Sequence, residues 1–244
     1  MRKYGVQMCG LRDIAQSDMK LALKTAADIG YKYIEFAGFF DHPADEIRKY
    51  LDEYGLEVIG SHTTIDKLTE ENIAKTIEYH TALGNKNITF PWIWGKDPEG
   101  LERSVATINF AQPILAEHGI NLSVHNHYLE FTSGDFQSYS HSQIEKRTDI
   151  GFQLDTFWAF FAGKDPVELM EYYNSIGRLT SIHLKDGKKD HSTRALGEGE
   201  APVREVLAKA IELDIPIIVE SEGLNPNGAE ENARCFEFLK KYGQ

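Results

Sequence analysis

Short apolar runs alternate with longer amphipathic stretches along the whole of this sequence, and that alternation predicts an α/β fold, a single (β/α)8 TIM barrel. Two further observations agree. The chain has 244 residues, close to the roughly 250 that such barrels use as one domain, so one domain over 1–244 is expected. The strand-like runs are mostly apolar on both faces, as in a parallel sheet covered by helices, and no linker or low-complexity segment interrupts the series.

Taken in order, the runs place strands near 4–10, 31–37, 56–61, 87–92, 120–127, 150–155, 179–184 and 215–220. Eight is the number a closed barrel needs. Helical patterns lie near 18–29, 43–54, 69–83, 98–118, 164–176, 202–213 and 229–241, while the connector 135–148 has the least defined pattern. Start signals stand at Ser17-Asp18, at Thr69-Glu70-Glu71 and at Asp165-Pro166. Gly30, Gly55, Gly84 and Gly119 each follow a helix, where a left-handed residue is favoured. A doubly wound open sheet would carry a glycine-rich phosphate turn after its first strand. Cys9-Gly10-Leu11-Arg12-Asp13 stands there instead, which favours the barrel.

Composition narrows the function classes. A hydrophobic content of 41% with 26% charged residues is ordinary for a globular domain and argues against disorder. The longest apolar runs, such as that around Ile215 to Val219, are far too short to cross a bilayer. Met1-Arg2-Lys3-Tyr4-Gly5-Val6 leads straight into the first strand without an apolar signal region, so a cytoplasmic protein with no membrane partner is expected. A net charge of -12 repels phosphates, so no nucleic acid partner is expected either. Cys9 and Cys235 lie far apart with no metal-ligand spacing and are read as ordinary small core or surface residues. Association into a homo-oligomer stays open.

The chemistry lies in what the strands end with, because strand ends of such a barrel converge on one mouth. The fifth ends in Val124-His125-Asn126-His127, followed by Tyr128-Leu129-Glu130-Phe131. The sixth ends in Gln153-Leu154-Asp155, the seventh in Ile182-His183-Leu184-Lys185-Asp186 and the eighth in Val219-Glu220-Ser221-Glu222. Four consecutive strands thus offer imidazole or carboxylate, each about one βα unit from the next. That donor set suits one divalent ion of the Mn, Mg, Co or Zn group. A lone His183 reads equally well as a core histidine and a lone Asp155 better as a helix cap, but ionisable groups crowded together are costly to bury unpaired.

These strand ends resemble the sugar phosphate isomerase/epimerase family within the xylose isomerase-like barrels, over nearly the whole chain. The motifs are Gly5-Val6-Gln7-Met8-Cys9-Gly10-Leu11-Arg12-Asp13, His125-Asn126-His127-Tyr128-Leu129-Glu130-Phe131, Gly151-Phe152-Gln153-Leu154-Asp155-Thr156, His183-Leu184-Lys185-Asp186 and Gly197-Glu198-Gly199-Glu200. The resemblance implies a metal held by Glu, Asp, His and Glu from successive strands, with the two glutamates also moving protons. Asp155, His183 and Glu220 match that pattern; His125 stands where the first Glu is expected. His125 and His127 point to the same side of their strand, so either is a candidate ligand with the other free as acid or base, and Glu130 just beyond could take either role. Substrate hydrogen bonding or the orienting of a ligand is the competing reading for His127 and Glu130.

Around this set, His62 closes the third strand and is read as substrate-binding, and Glu35 on the second strand as a contact to a ligand residue or a substrate hydroxyl. Trp92 and Trp158 offer flat apolar walls for sugar C–H surfaces, with rim packing as the plain alternative. Lys185 could hold an oxyanion or serve as an acid, or simply pair with Asp186. The implied activity is a metal-dependent isomerase or epimerase acting on a sugar or keto-sugar through an enediolate, with Glu220 as base. The alternative is a metal-dependent lyase or dehydratase on a keto-sugar or keto-inositol, suggested by His125. A nuclease like the abasic-site endonucleases, which share the barrel, is a remote third, and a non-catalytic sugar-binding barrel a fourth.

Overall fold

A computed structural model of the protein describes residues 2–94 and 97–243. Eight strands close into a parallel barrel: Gly5–Gln7, Tyr33–Phe36, Glu57–His62, Asn87–Phe90, Asn121–His125, Gly151–Asp155, Leu179–Leu184 and Ile217–Val219, here the first to eighth. Gly5 closes the ring, pairing with Tyr33 of the second strand and Ile218 of the eighth. A Cβ there would lie 3.2 Å from Ile218 Cγ1 and 3.4 Å from Tyr33 Cβ, so glycine suits the seam. Each expected strand is present, most of them trimmed at one or both ends, with Leu179–Leu184 matching its expected bounds and Glu57–His62 ending one residue later.

Helices cover the outside, and most begin where the capping chemistry directs. Asp18 accepts from Leu21 N to start Met19–Ile29, and Asp165 accepts from Val167 N ahead of Pro166 to start Pro166–Ser175. Gly55, Gly84 and Gly119 take left-handed backbone, with φ of 63°, 79° and 69°. The third helix departs from expectation, running Ile73–Leu83 rather than starting at Thr69. The side chains of Thr69 and Asn72 both donate to the Asp66 carbonyl, closing a 3-10 turn at Ile65–Leu68 before the helix can begin. Among the described residues no helix is long and apolar enough to cross a membrane.

The strands are not apolar on both faces, contrary to the sequence expectation. Val6, Ile34, Phe36, Ile88, Phe90, Phe152, Leu154, Ile182 and Leu184 are buried in the hydrophobic core. Residues of the opposite parity are polar and also buried, including Gln7, Glu35, Thr89, Ser123, Gln153 and Ser181. These polar groups satisfy one another across the lumen. Gln153 Nε2 donates to Glu35 Oε1 at 2.5 Å and to Ser181 Oγ at 3.1 Å, and Thr89 and Ser123 share a hydrogen bond of 2.7 Å. A buried polar network is tolerable only when paired in this way.

The ill-defined connector 135–148 is a helix, Phe136–Arg147, capped by Asp135. Its buried face is Ser140, His141 and Ile144, too polar to show an apolar period. His141 contacts the rings of Phe131 and Phe152, and its Nε2 lies 2.8 Å from the Tyr173 hydroxyl. Burial, aided by Arg178, lowers its pKa to about 4, so the folded protein holds it neutral where the unfolded chain would protonate near pH 6.5. Because the folded value is depressed, this stabilisation is complete above pH 6.5 and is lost as pH falls towards 4. Chemical denaturation at pH 7 and pH 4.5 should show a smaller pH-dependent loss in His141→Gln than in the native protein; equal losses would contradict the assignment.

Candidate active site

The C-terminal ends of the strands bring together one ionic chain. Glu35 on the second strand is buried, and its Oε2 lies 2.5 Å from His183 Nε2 and accepts from Gln7 Nε2 at 2.7 Å. On the other side of the same imidazole, His183 Nδ1 lies 3.0 Å from Glu220 Oε2. The chain continues to Lys185, whose Nζ lies 3.3 Å from Glu220 Oε2 and 3.7 Å from Asp155 Oδ2 and also pairs with Glu222. Burial opposes the charge on His183, but Glu35 and Glu220 outweigh it and raise its pKa to about 10. Glu220 is held well below the usual carboxylate range, since Lys185 and His183 overcome the penalty of burial.

His125 completes the cluster. Its Nδ1 lies 3.2 Å from Gln153 Oε1 and its Nε2 3.9 Å from Asp155 Oδ2. Within 4.8 Å of one another, His125, Asp155, His183 and Glu220 each present one atom able to ligate a metal ion. His62, His125 and His183 form a second such group, and Cys9, Glu220 and Glu222 a third. Asp155 Oδ1 caps the short helix Thr156–Phe161 by accepting from Trp158 N, while Oδ2 is buried without a hydrogen-bond partner. Burial pushes the Asp155 carboxyl up to about 8. A buried carboxyl oxygen with no hydrogen bond, 3.7 Å from the Lys185 ammonium and 3.9 Å from His125 Nε2, is a group that a cation would partner.

The remaining sequence candidates surround this set. His127 follows the fifth strand, with its ring 5.0 Å from that of His125, and burial lowers its pKa to about 4. Its backbone N–H donates to Glu130 Oε2 at 2.9 Å. Neither His127 nor Glu130 belongs to the ligand groups found among the described residues. His62 Nε2 lies 2.7 Å from Gln153 Oε1. Trp158 lies beneath Lys185, with Nζ 4.8 Å from its ring centroid. Trp92 stands at the rim, 54% exposed, with its ring 6.0 Å from that of His127.

The chain belongs to the xylose isomerase-like TIM barrel family. That family's model matches residues 23–242. A 2-oxo-tetronate isomerase from Haemophilus influenzae is 23% identical over 90% of this chain and 92% of its own. A sugar phosphate isomerase/epimerase from Parabacteroides distasonis superposes with a TM-score of 0.77 at 25% identity, covering 98% of this chain and 93% of its own. The IolI protein, solved with a bound zinc atom, superposes at 0.75 with 16% identity over 99% of this chain and 98% of its own.

In this xylose isomerase-like barrel several site residues escaped the sequence reading. Cys9, expected to be an ordinary small residue, places Sγ 3.3 Å from Glu220 Oε1, because the 3-10 turn Met8–Leu11 brings it to the mouth. Cys235 is buried in the core as expected. Glu222 pairs with Lys185 from the loop after the eighth strand, and Gln7 and Gln153 hold Glu35. Strand parity was the available signal for Gln153, two residues before Asp155, and for Glu222, two after Glu220; Cys9 lay within the expected strand 4–10 but stands in a 3-10 turn.

Asp186 does not pair with Lys185. Its carboxylate accepts from the backbone N–H groups of Gly187, Gly197, Gly199 and Ala201, folding the Gly197-Glu198-Gly199-Glu200 segment back onto the barrel. A Cβ at Gly199 would lie 2.1 Å from Asp186 Oδ1, so glycine lets the two meet. Asp186→Ala should cost about 2–4 kcal/mol of stability and raise amide exchange across 187–201. Native-like stability and exchange would show that Asp186 does not organise this loop.

Proposed function

We propose that this chain is a divalent-metal-dependent isomerase or epimerase of a small-molecule keto-sugar, with residues 1–244 acting as one barrel. The observation that supports it most is the convergence of His125, Asp155, His183 and Glu220 to within 4.8 Å at the ends of four consecutive strands. These four would hold the ion, Glu35 would orient His183 through its second nitrogen, and two imidazoles with two carboxylates suit Mn, Co, Zn or Mg. A divalent cation bound there supplies positive charge to the oxygens of the substrate as its carbonyl gains electrons. The net charge of -12 supports a small substrate over nucleic acid.

Glu220 takes the proton from the carbon beside the carbonyl, and the C–H electron pair moves into the carbonyl to give an enediolate. Lys185, gripped by Glu220, Asp155 and Glu222, presents its ammonium to the developing oxyanion. The neutral imidazole of His127 relays a proton between the two substrate oxygens, giving its N–H to the former carbonyl and taking the neighbouring hydroxyl's in return, with Glu130 bonded to its backbone N–H to fix its place. Return of that proton from Glu220 to the neighbouring carbon completes isomerisation; for epimerisation the original carbon takes a proton from a second group on the opposite face, and both groups then exchange protons with solvent. His62, Trp92 and Trp158 border the substrate. Glu35, with both oxygens taken by Gln7, Gln153 and His183, orients rather than contacts it.

NMR in heavy water with a panel of keto-sugars tests this directly. Deuterium should enter a C–H beside the carbonyl, with loss of water from the substrate favouring the lyase reading instead. Glu220→Gln should lower the exchange rate about 10² or more. His127→Ala should also slow turnover, by about 10². Full activity in Glu220→Gln loaded with metal would contradict its role as base.

A further inference from the structure

The segments after the second and third strands enclose a cavity of about 730 Å3, with His62 in its wall. The His62 ring stacks on that of His183 at 5.3 Å, so the cavity adjoins the candidate active site. Pockets that bury most of a drug-sized molecule span roughly 300–1,000 Å3, and this one has room well beyond a single sugar ring.

The loop 37–43 on its outer side is pinned at two points. The Phe39 ring packs on Phe36 and Tyr79 at 5.3 and 4.5 Å, and the Tyr79 hydroxyl donates to the His42 carbonyl at 2.7 Å. Between these anchors Phe40 and Asp41 hold left-handed backbone, with φ of 47° and 62°, and Phe40 is 44% exposed. A positive φ is uncommon for a bulky residue and costs on the order of 1–3 kcal/mol. An exposed ring offsets little of that cost. Strain and apolar exposure thus coincide at one residue whose loop is fixed on both sides, which is how a ligand platform differs from a loose loop. The same cavity is lined by Thr64, Lys67 and Lys75, whose hydroxyl and ammonium groups are hydrogen-bond donors. An aromatic face together with such donors matches the two sides of a pyranose, one of C–H groups and one of hydroxyls.

We propose that the substrate is a two-ring glycoside, a keto-sugar whose second sugar ring occupies this cavity against Phe40 while the keto ring reaches the strand ends past His62. This rests on the keto-sugar reading above. Isothermal titration of the intact protein with fructose, a one-ring ketose, and with lactulose, a two-ring one, tests it through binding. Lactulose should bind about tenfold more tightly than fructose, and Phe40→Ala and Phe40→Gly, the second of which also relaxes the backbone, should both abolish that preference while leaving fructose affinity unchanged. Lactulose binding no tighter than fructose, or a preference that survives in both variants, overturns the proposal. The readout is binding alone, so a lack of proton exchange would count against the proposed chemistry and not against this subsite.

Discussion

One imidazole, that of His183, sits between two buried carboxylates, and the rest of the mouth is arranged around that fact. Glu35 holds one ring nitrogen and Glu220 lies against the other, so the ring can neither turn nor lose its partners without stranding a buried charge. Glu35 is itself fixed by amides from the first and sixth strands, and Glu220 is shared with Lys185 and Cys9. Four carboxylates, those of Glu35, Asp155, Glu220 and Glu222, face one ammonium and one imidazolium. Burial pushes the Asp155 carboxyl up to about 8, so at neutral pH the excess negative charge is relieved by a proton held there, on a group whose Oδ2 has no hydrogen-bond partner.

This constraint explains why the lumen is polar. A barrel filled with branched apolar side chains would leave Glu35 and His183 without hydrogen-bonding neighbours near the mouth. Gln7, Gln153 and Ser181 extend the network down the lumen, while the apolar residues of alternate parity pack outwards against the helices. Fold stability and site geometry are therefore carried by opposite faces of the same strands.

How far the sequence revealed this depends on the kind of residue. Asp155, His183 and Glu220 were legible because each ends a strand and is spaced by about one βα unit, and the structure brings all three together with His125. The eight strands were legible from apolar runs, yet their lumen faces were misread, since Thr, Ser and Gln carry no charge to mark them among apolar neighbours. The helix Phe136–Arg147 was obscured because it buries serine and histidine. Cys9 fell within the expected first strand but stands in a 3-10 turn after it, and Glu222, part of the expected eighth-strand ending, follows that strand by three residues. The loop 37–43 owes its form to anchors from other elements, Phe36 and Tyr79, which local sequence does not display.

The central claim is that Asp155 gives up its proton to one divalent cation held jointly by the four strand ends. Elemental analysis of protein purified without chelator and equilibrated with manganese or zinc measures this directly. The account predicts one ion per chain in the native protein, near-complete loss in Asp155→Ala and in His183→Ala, and retention in His127→Ala and Glu130→Gln. Equal metal content in the native protein and in both Asp155→Ala and His183→Ala would contradict it.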